Sequence, residues 1–258
     1  MTRTAIITGA GSGIGLSTAK MLHDAGFAIV GVGRSADKLA DLAGVLGASE
    51  RVETLAVDIT ADDGPSRIVE SALGRFGRID ALVNNAGLGS PTPLHETDDE
   101  KLDQFLDVML RAPFRICREA IGHMGEGGSV VNVTSTYAMI GGRRGGPYSA
   151  AKGGLRSLTE HMAVEYGPRG IRSNCVAPGV TMTDMVRHRF DDEAFQRVNV
   201  ETTPYPRLAE PEDVANVIAF LCSPGSEMIN GQSIVVDGGW TKTKYLSARA
   251  LCSTWVES

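Results

Sequence analysis

Ala5-Ile6-Ile7-Thr8-Gly9-Ala10-Gly11-Ser12-Gly13-Ile14-Gly15, running on into a helical stretch through Leu22, reads as a strand, a glycine turn and a helix. Glycine takes positive φ without strain and lets the backbone approach a ligand closely, while a helix N-terminus offers free N–H groups and a partial positive charge. A loop of this kind is built to hold a dinucleotide, and Gly9, Ser12, Gly13, Ile14 and Gly15 are its candidate contacts. The G-x-G-x-x-G spacing is absent, because Ile14, Leu16 and Thr18 stand where each register needs its last glycine.

Outward from this unit, short apolar runs alternate with helical patterns. The strand candidates are Ala5–Ile7, Ala28–Val32, Val52–Val57, Ala81–Val83, Ser129–Thr134, Arg172–Val176 and Ser233–Val236, with amphipathic helices such as Leu102–Ile121 and Ala150–Tyr166 between them. Alternation of this kind predicts right-handed βαβ units and one doubly wound parallel sheet, an α/β fold of Rossmann type in a single domain. The 258 residues, 42% of them hydrophobic, suffice for one large core. Ligands in such sheets bind beyond the carboxyl ends of the strands. Gly9, Arg34, Asp58, Asn85, Ser135 and Pro178 all fall there, so one crevice is expected.

A net charge of −6 argues against nucleic acid as a partner, since neutralising phosphates takes a basic face. No apolar run is long enough to span a bilayer, and the first strand begins too early to leave room for a signal peptide. Cys117, Cys175, Cys222 and Cys252 are widely separated and have no metal-ligand spacing. A reduced cytoplasmic protein without a metal site is therefore expected.

Tyr148 and Lys152 are four residues apart and share one helix face. A phenol of pKa about 10 can trade protons near neutrality only if a cation favours its phenolate, and Lys152 is the candidate cation. Taken together, Thr8-Gly9-x-x-x-Gly13-Ile14-Gly15, Asn84-Asn85-Ala86-Gly87, Ser135, Tyr148-x-x-x-Lys152 and Pro178-Gly179 resemble the short-chain dehydrogenase/reductase family over residues 4 to about 239.

The resemblance implies an NAD(P)-dependent oxidoreductase acting on a carbonyl or secondary alcohol. Ser135 would bond the substrate oxygen, Tyr148 would exchange the proton, and Lys152 would lower the tyrosine pKa and bind the nicotinamide ribose. Asp58 and Ile59 would meet the adenine, and Asn85, Ala86 and Gly87 would border the adenosine ribose. For Asn84 and Asn85, bracing the sheet is an equal alternative. Pro178, Gly179, Val180 and Thr183 would pin the carboxamide. Gly33 stands where an NAD-preferring chain usually carries an acid, and Arg34 and Ser35 offer a donor fork and a hydroxyl to a 2'-phosphate. NADP is therefore preferred, with NAD still open and Arg34 alternatively a solvated charge. Asp80 is assigned to structure.

One departure stands out. Met109 occupies the position where the family carries an asparagine that holds a water linking the lysine to bulk solvent, and a thioether is a poor substitute. Either the backbone carbonyl of residue 109 holds that water alone, or the chain is a nucleotide-binding regulatory protein with weak or no catalysis. Substrate choice is expected in a lid from Thr181 to Arg207. Arg187, His188 and Arg189 there, and Arg143 and Arg144 before Tyr148, are either anion contacts or solvated charges. The substrate is a small polar molecule: a sugar, a hydroxy compound or a 3-oxoacyl thioester. Residues 1–239 form the nucleotide-binding domain. Residues 240–258 form an extension whose Tyr245, Leu246, Ala250, Leu251, Trp255 and Val256 gather on one helical face, packing across a subunit boundary of a homo-oligomer, a tetramer, or on their own subunit.

Overall fold

The computed structural model describes residues 2–47, 49–89 and 91–242. Strands β1 (Thr4–Thr8), β2 (Ala28–Gly33), β3 (Val52–Ala56), β4 (Ile79–Asn84), β5 (Met124–Val133), β6 (Arg172–Pro178) and β7 (Ser233–Val236) form one seven-stranded sheet in the order β3-β2-β1-β4-β5-β6-β7. Every pairing is parallel. All seven expected strands are present, and the order reverses between β1 and β4, the switch point at which such sheets bind ligands.

The helices α1 (Gly13–Asp24), α2 (Ala36–Val45), α3 (Gly64–Phe76), α4 (Asp99–Leu106), α5 (Ala112–Ala120), α6 (Gly146–Tyr166), α7 (Asp184–Arg187), α8 (Glu193–Phe195) and α9 (Pro211–Leu221) follow in chain order. Because side chains alternate along a strand, β1 sends Ala5 and Ile7 to one face and Ile6 to the other. The first face is covered by Ala19, Leu22, Leu39, Leu42, Val214 and Ile218 of α1, α2 and α9. The second is covered by Ile68, Val69, Ile116 and Met162 of α3, α5 and α6. A sheet buried on both faces needs apolar residues at consecutive positions, which is why β1 is buried at all five.

Ends are set by local chemistry. Ser35 caps α2 by accepting from the Lys38 N–H, and Gly77 closes α3 at φ 72°. Asp80 accepts from the Thr4 N–H at 2.8 Å and from both Nε and Nη2 of Arg78, tying the starts of β1 and β4 together.

The expected single helix Leu102–Ile121 is three pieces. Between α4 and α5, residues Asp107–Arg111 form a π-helical turn in which the Ala112 N–H reaches back five residues to the Asp107 carbonyl. Pro113 is the physical reason. It has no N–H to give the carbonyl four residues before it, that of Met109, so a regular α-helix cannot run through this point. Helix α6 begins at Gly146 instead of Ala150 because Pro147 sits in its first turn, where a missing N–H costs nothing.

Among the described residues no helix is long and apolar enough to cross a membrane, and no group of three or more metal-ligating side chains could hold a metal ion. Cys117, Cys175 and Cys222 are free thiols, all buried. Residues 243–258, with the apolar face expected of the tail, lie outside the described residues.

Candidate active site

The glycine loop is a tight cradle. Gly9 adopts φ +69°, and a side chain there would start 2.9 Å from Asn85 Nδ2. At Gly15 a Cβ would fall 2.1 Å from the Gly9 carbonyl oxygen, backbone that cannot move aside, so only glycine fits. Ser12 precedes α1 in extended conformation, makes no side-chain capping bond, and is followed by no acid in the first turn. The first N–H groups of a twelve-residue helix are thus left without a side-chain cap and free for an anion. These residues fit a pyrophosphate.

Both asparagines make bonds that hold neighbouring strands and loops in place. Asn84 donates to Asn132 Oδ1 at 2.8 Å in the core between β4 and β5. The Asn85 side-chain amide donates to the carbonyls of Thr8 (2.9 Å) and Gly9 (3.3 Å). Thr8 Oγ1 accepts in return from the N–H groups of Asn85 and Ala86. Both asparagines brace; Asn85 holds the shape of the glycine loop.

From the loop a cleft of about 650 Å3 runs past Gly9, Gly33, Arg34, Asp58, Ile59, Ala86 and Gly87. Its far wall, from Leu88 and the α4 side, includes Glu100, Asp103, Asp107 and Val108. Asp58 accepts from the N–H and hydroxyl of Thr60 at 2.9 and 2.7 Å, which holds its carboxyl below the usual range, with a smaller contribution from the Arg34 guanidinium. Ser35 is occupied as the cap of α2. Thr60 and the acidic wall were not foreseen; they come from elements far apart in sequence and carry no motif.

Beyond β6, Gly179 donates to the Val236 carbonyl at 2.9 Å, and Thr183 stands with its Cγ2 3.0 Å from where a Gly13 side chain would begin. Pro178, Gly179, Val180 and Thr183 therefore lead from the end of the sheet back over the glycine loop. The basic clusters stay at the surface. Arg143, Arg144, Arg187 and His188 are exposed, and Arg189 lies over the Phe195 ring at 4.6 Å.

Ser135 lies just past the end of β5, in extended backbone, with its hydroxyl accepting from the Tyr137 N–H at 3.2 Å. Tyr148 and Lys152 come from consecutive turns of α6. The Lys152 Nζ donates to the Val133 carbonyl at 2.7 Å and stands 5.9 Å from the Tyr148 ring centre. The electrostatics depart from expectation. Burial pushes the Tyr148 phenol up; the hydroxyl of Ser135, as a hydrogen-bond partner, is what pulls it down, and the Tyr137 ring opposes. Burial also lowers Lys152 to about 8, so its ammonium is itself disfavoured. The sequence shows spacing but not the depth at which both groups sit.

Three polar groups of the right kinds, on a Rossmann sheet with a pyrophosphate cradle, agree with the comparisons with known proteins. A family model described as enoyl-(acyl carrier protein) reductase matches residues 9–241. The A-factor type γ-butyrolactone 1'-reductase (1S-forming) of Streptomyces virginiae is 38% identical over 245 residues, which are 93% of this chain and 95% of that protein. The cis-4-hydroxycyclohexanecarboxylate dehydrogenase of Sinomonas cyclohexanicum is 38% identical over 243 residues, 93% of this chain and 96% of its own. Among solved structures, a gluconate 5-dehydrogenase from Burkholderia cenocepacia in complex with NADP and tartrate superposes with a TM-score of 0.88 at 32% identity, covering 94% of this chain and 96% of that one.

The chain belongs to the short-chain dehydrogenase/reductase family. It is an NAD(P)-dependent oxidoreductase of carbonyl and CH–OH groups. For a short-chain dehydrogenase/reductase, Met109 is the residue to explain. It is fully buried in the π-helical turn, in a cluster with Phe105 and Ala151 against which Tyr148 packs. Its Sδ and the Lys152 Nζ lie 3.7 and 3.8 Å from where a Gly87 side chain would begin. The thioether thus sits in the lysine's surroundings, while Pro113 withholds the usual α-helical donor from the Met109 carbonyl. An amide can hold a water that a thioether cannot, so Met109→Asn is expected to leave turnover unchanged or raise it by up to about tenfold. A large loss of kcat in that variant would contradict a relay at this position.

Proposed function

We propose that the chain transfers hydride reversibly between NADP and a secondary alcohol or ketone of a small polar substrate: a sugar, a hydroxy compound or a 3-oxoacyl thioester. The observation that carries this reading is the convergence of Ser135, Tyr148 and the buried Lys152, whose Nζ donates to the Val133 carbonyl, at the carboxyl end of β5. When bound, the nicotinamide supplies or receives the hydride. Tyr148 gives its proton to the oxygen that gains charge as the carbonyl is reduced, and takes it back in the oxidation. Ser135 turns its hydroxyl to the same oxygen, fixing it within reach of the phenol. Lys152, anchored on Val133 and still mostly an ammonium at neutral pH, adds positive field and would hold the nicotinamide ribose. Gly9, Ser12, Gly13, Ile14 and Gly15 would hold the pyrophosphate, Asp58 and Ile59 the adenine, and Val180 with Thr183 the carboxamide.

NADP is preferred over NAD because Arg34 borders the cleft directly after β2, where Gly33 offers no carboxylate to a ribose diol. The NADP complex of the gluconate 5-dehydrogenase is consistent with this choice. A cytoplasmic homotetramer fits the buried thiols and the family. The test is nicotinamide absorbance with ketones, sugars and 3-oxoacyl thioesters. NADPH should be consumed at least about tenfold more efficiently than NADH. Tight NADPH binding with no consumption across the panel would overturn the catalytic reading in favour of a regulatory nucleotide binder.

A further inference from the structure

Tyr137 and Trp240 are unused by the chemistry so far, yet they stand next to it. Tyr137 follows Ser135 by two residues, and its ring meets that of Tyr148 edge to face, with centres 6.3 Å apart and planes at 87°. On the other side it meets Trp240 at 6.2 Å and 48°. Gly142 makes room: a side chain there would begin 2.6 to 2.8 Å from the Tyr137 ring carbons. Both rings are only partly buried. Trp240 Nε1, the indole's single donor, is committed to the Val198 carbonyl at 3.1 Å and Thr202 Oγ1 at 2.8 Å. Val198 and Thr202 belong to the lid segment, so the indole ties that segment to the end of the sheet and turns its apolar surface, not a donor, toward the neighbouring rings.

We infer that Tyr137 and Trp240 form an aromatic corner that takes the C–H face of a cyclic substrate, making a ring ketone or ring alcohol the favoured class. The inference rests on the reading of Tyr148 as the proton donor. A ring seated against Tyr137 lies beside the Tyr148 phenol, because the two rings are in edge-to-face contact. An open chain of the same carbon count covers less of two angled faces and loses more torsional freedom on binding.

The test compares cyclohexanone with 3-hexanone as substrates, using NADPH and the full-length chain. Wild type should favour cyclohexanone in kcat/KM, and Tyr137→Leu should cut that preference by roughly tenfold with NADPH affinity unchanged. Trp240→Phe, which keeps an aromatic face, should retain most of the preference. A preference unaltered in Tyr137→Leu, or a parallel fall for both ketones, would overturn the inference while leaving hydride transfer intact. Consumption of NADPH with neither these ketones nor any other carbonyl would overturn the hydride-transfer reading, and the inference with it. Should Tyr137→Leu fail to fold, Trp240 is read directly. The two tryptophans are Trp240 and Trp255, so in Trp255→Phe the emission reports Trp240 alone. It should shift when cyclohexanol joins the NADP complex, and no shift at saturating cyclohexanol would overturn the inference.

Discussion

Tyr148→Phe is expected to lower turnover by about a thousandfold, the scale of a positioned proton donor. The substitution removes one oxygen and keeps the ring, so the edge-to-face contact with Tyr137 survives. The phenol is partly buried beside the Ser135 hydroxyl, which pulls its pKa down, and losing that interaction costs about 1 kcal/mol of stability. A melt close to that of wild type, NADPH affinity within a few-fold of wild type, and absent turnover together assign the loss to chemistry. Turnover within about tenfold of wild type would mean that another group, or water, supplies the proton.

Lys152→Met has the second largest expected effect, and it acts on stability as well as rate. Burial holds the Lys152 ammonium near 8 in the folded chain, against an ordinary value of 10.5. Between those values the unfolded chain binds more protons than the folded one, so folding stability rises with pH from about 8 to about 10. The difference is worth about 3 kcal/mol. Below pH 8 the buried ammonium is a liability, only partly offset by its bond to the Val133 carbonyl. Methionine removes the charge but leaves that carbonyl unpaired, at a cost of about 1–3 kcal/mol. The two nearly balance at pH 7, so the slope decides. Wild type should gain stability between pH 8 and 10, in the unliganded state, relative to a Lys152→Met variant whose stability is flatter there. Turnover should fall at least about a hundredfold in the variant. Parallel stability curves would show that Lys152 is not held near 8.

The fold was readable because the apolar pattern admits one arrangement. Ile6 and Ile7 are adjacent and both fully buried, as a strand covered on both faces requires. The residues that gather at the carboxyl ends followed from that order, and Ser135, Tyr148 and Lys152 do converge. What escaped was set by depth and by distance along the chain. Pro113 breaks the helix expected over Leu102–Ile121, an effect legible in the residue but masked by the surrounding amphipathic pattern. The spacing of Tyr148 and Lys152 suggests a cation lowering a phenol, whereas burial drives both groups toward their neutral forms. The bracing bonds of Asn85 to Thr8 and Gly9 depend on the fold and could not be read from its residue type. Tyr137 and Trp240 are more than a hundred positions apart and belong to no motif, so nothing but the folded chain brings them together.

The most direct test of hydride transfer is isotopic. The enzyme is incubated with a ketone and NADPH carrying deuterium at the transferable position of the nicotinamide, and the alcohol is analysed by mass and by NMR. One deuterium per molecule, on the carbinol carbon, in wild type and none formed by Tyr148→Phe, is the expected result. NADPH oxidised without deuterium in the alcohol, or alcohol formed with deuterium elsewhere than on that carbon, would contradict it.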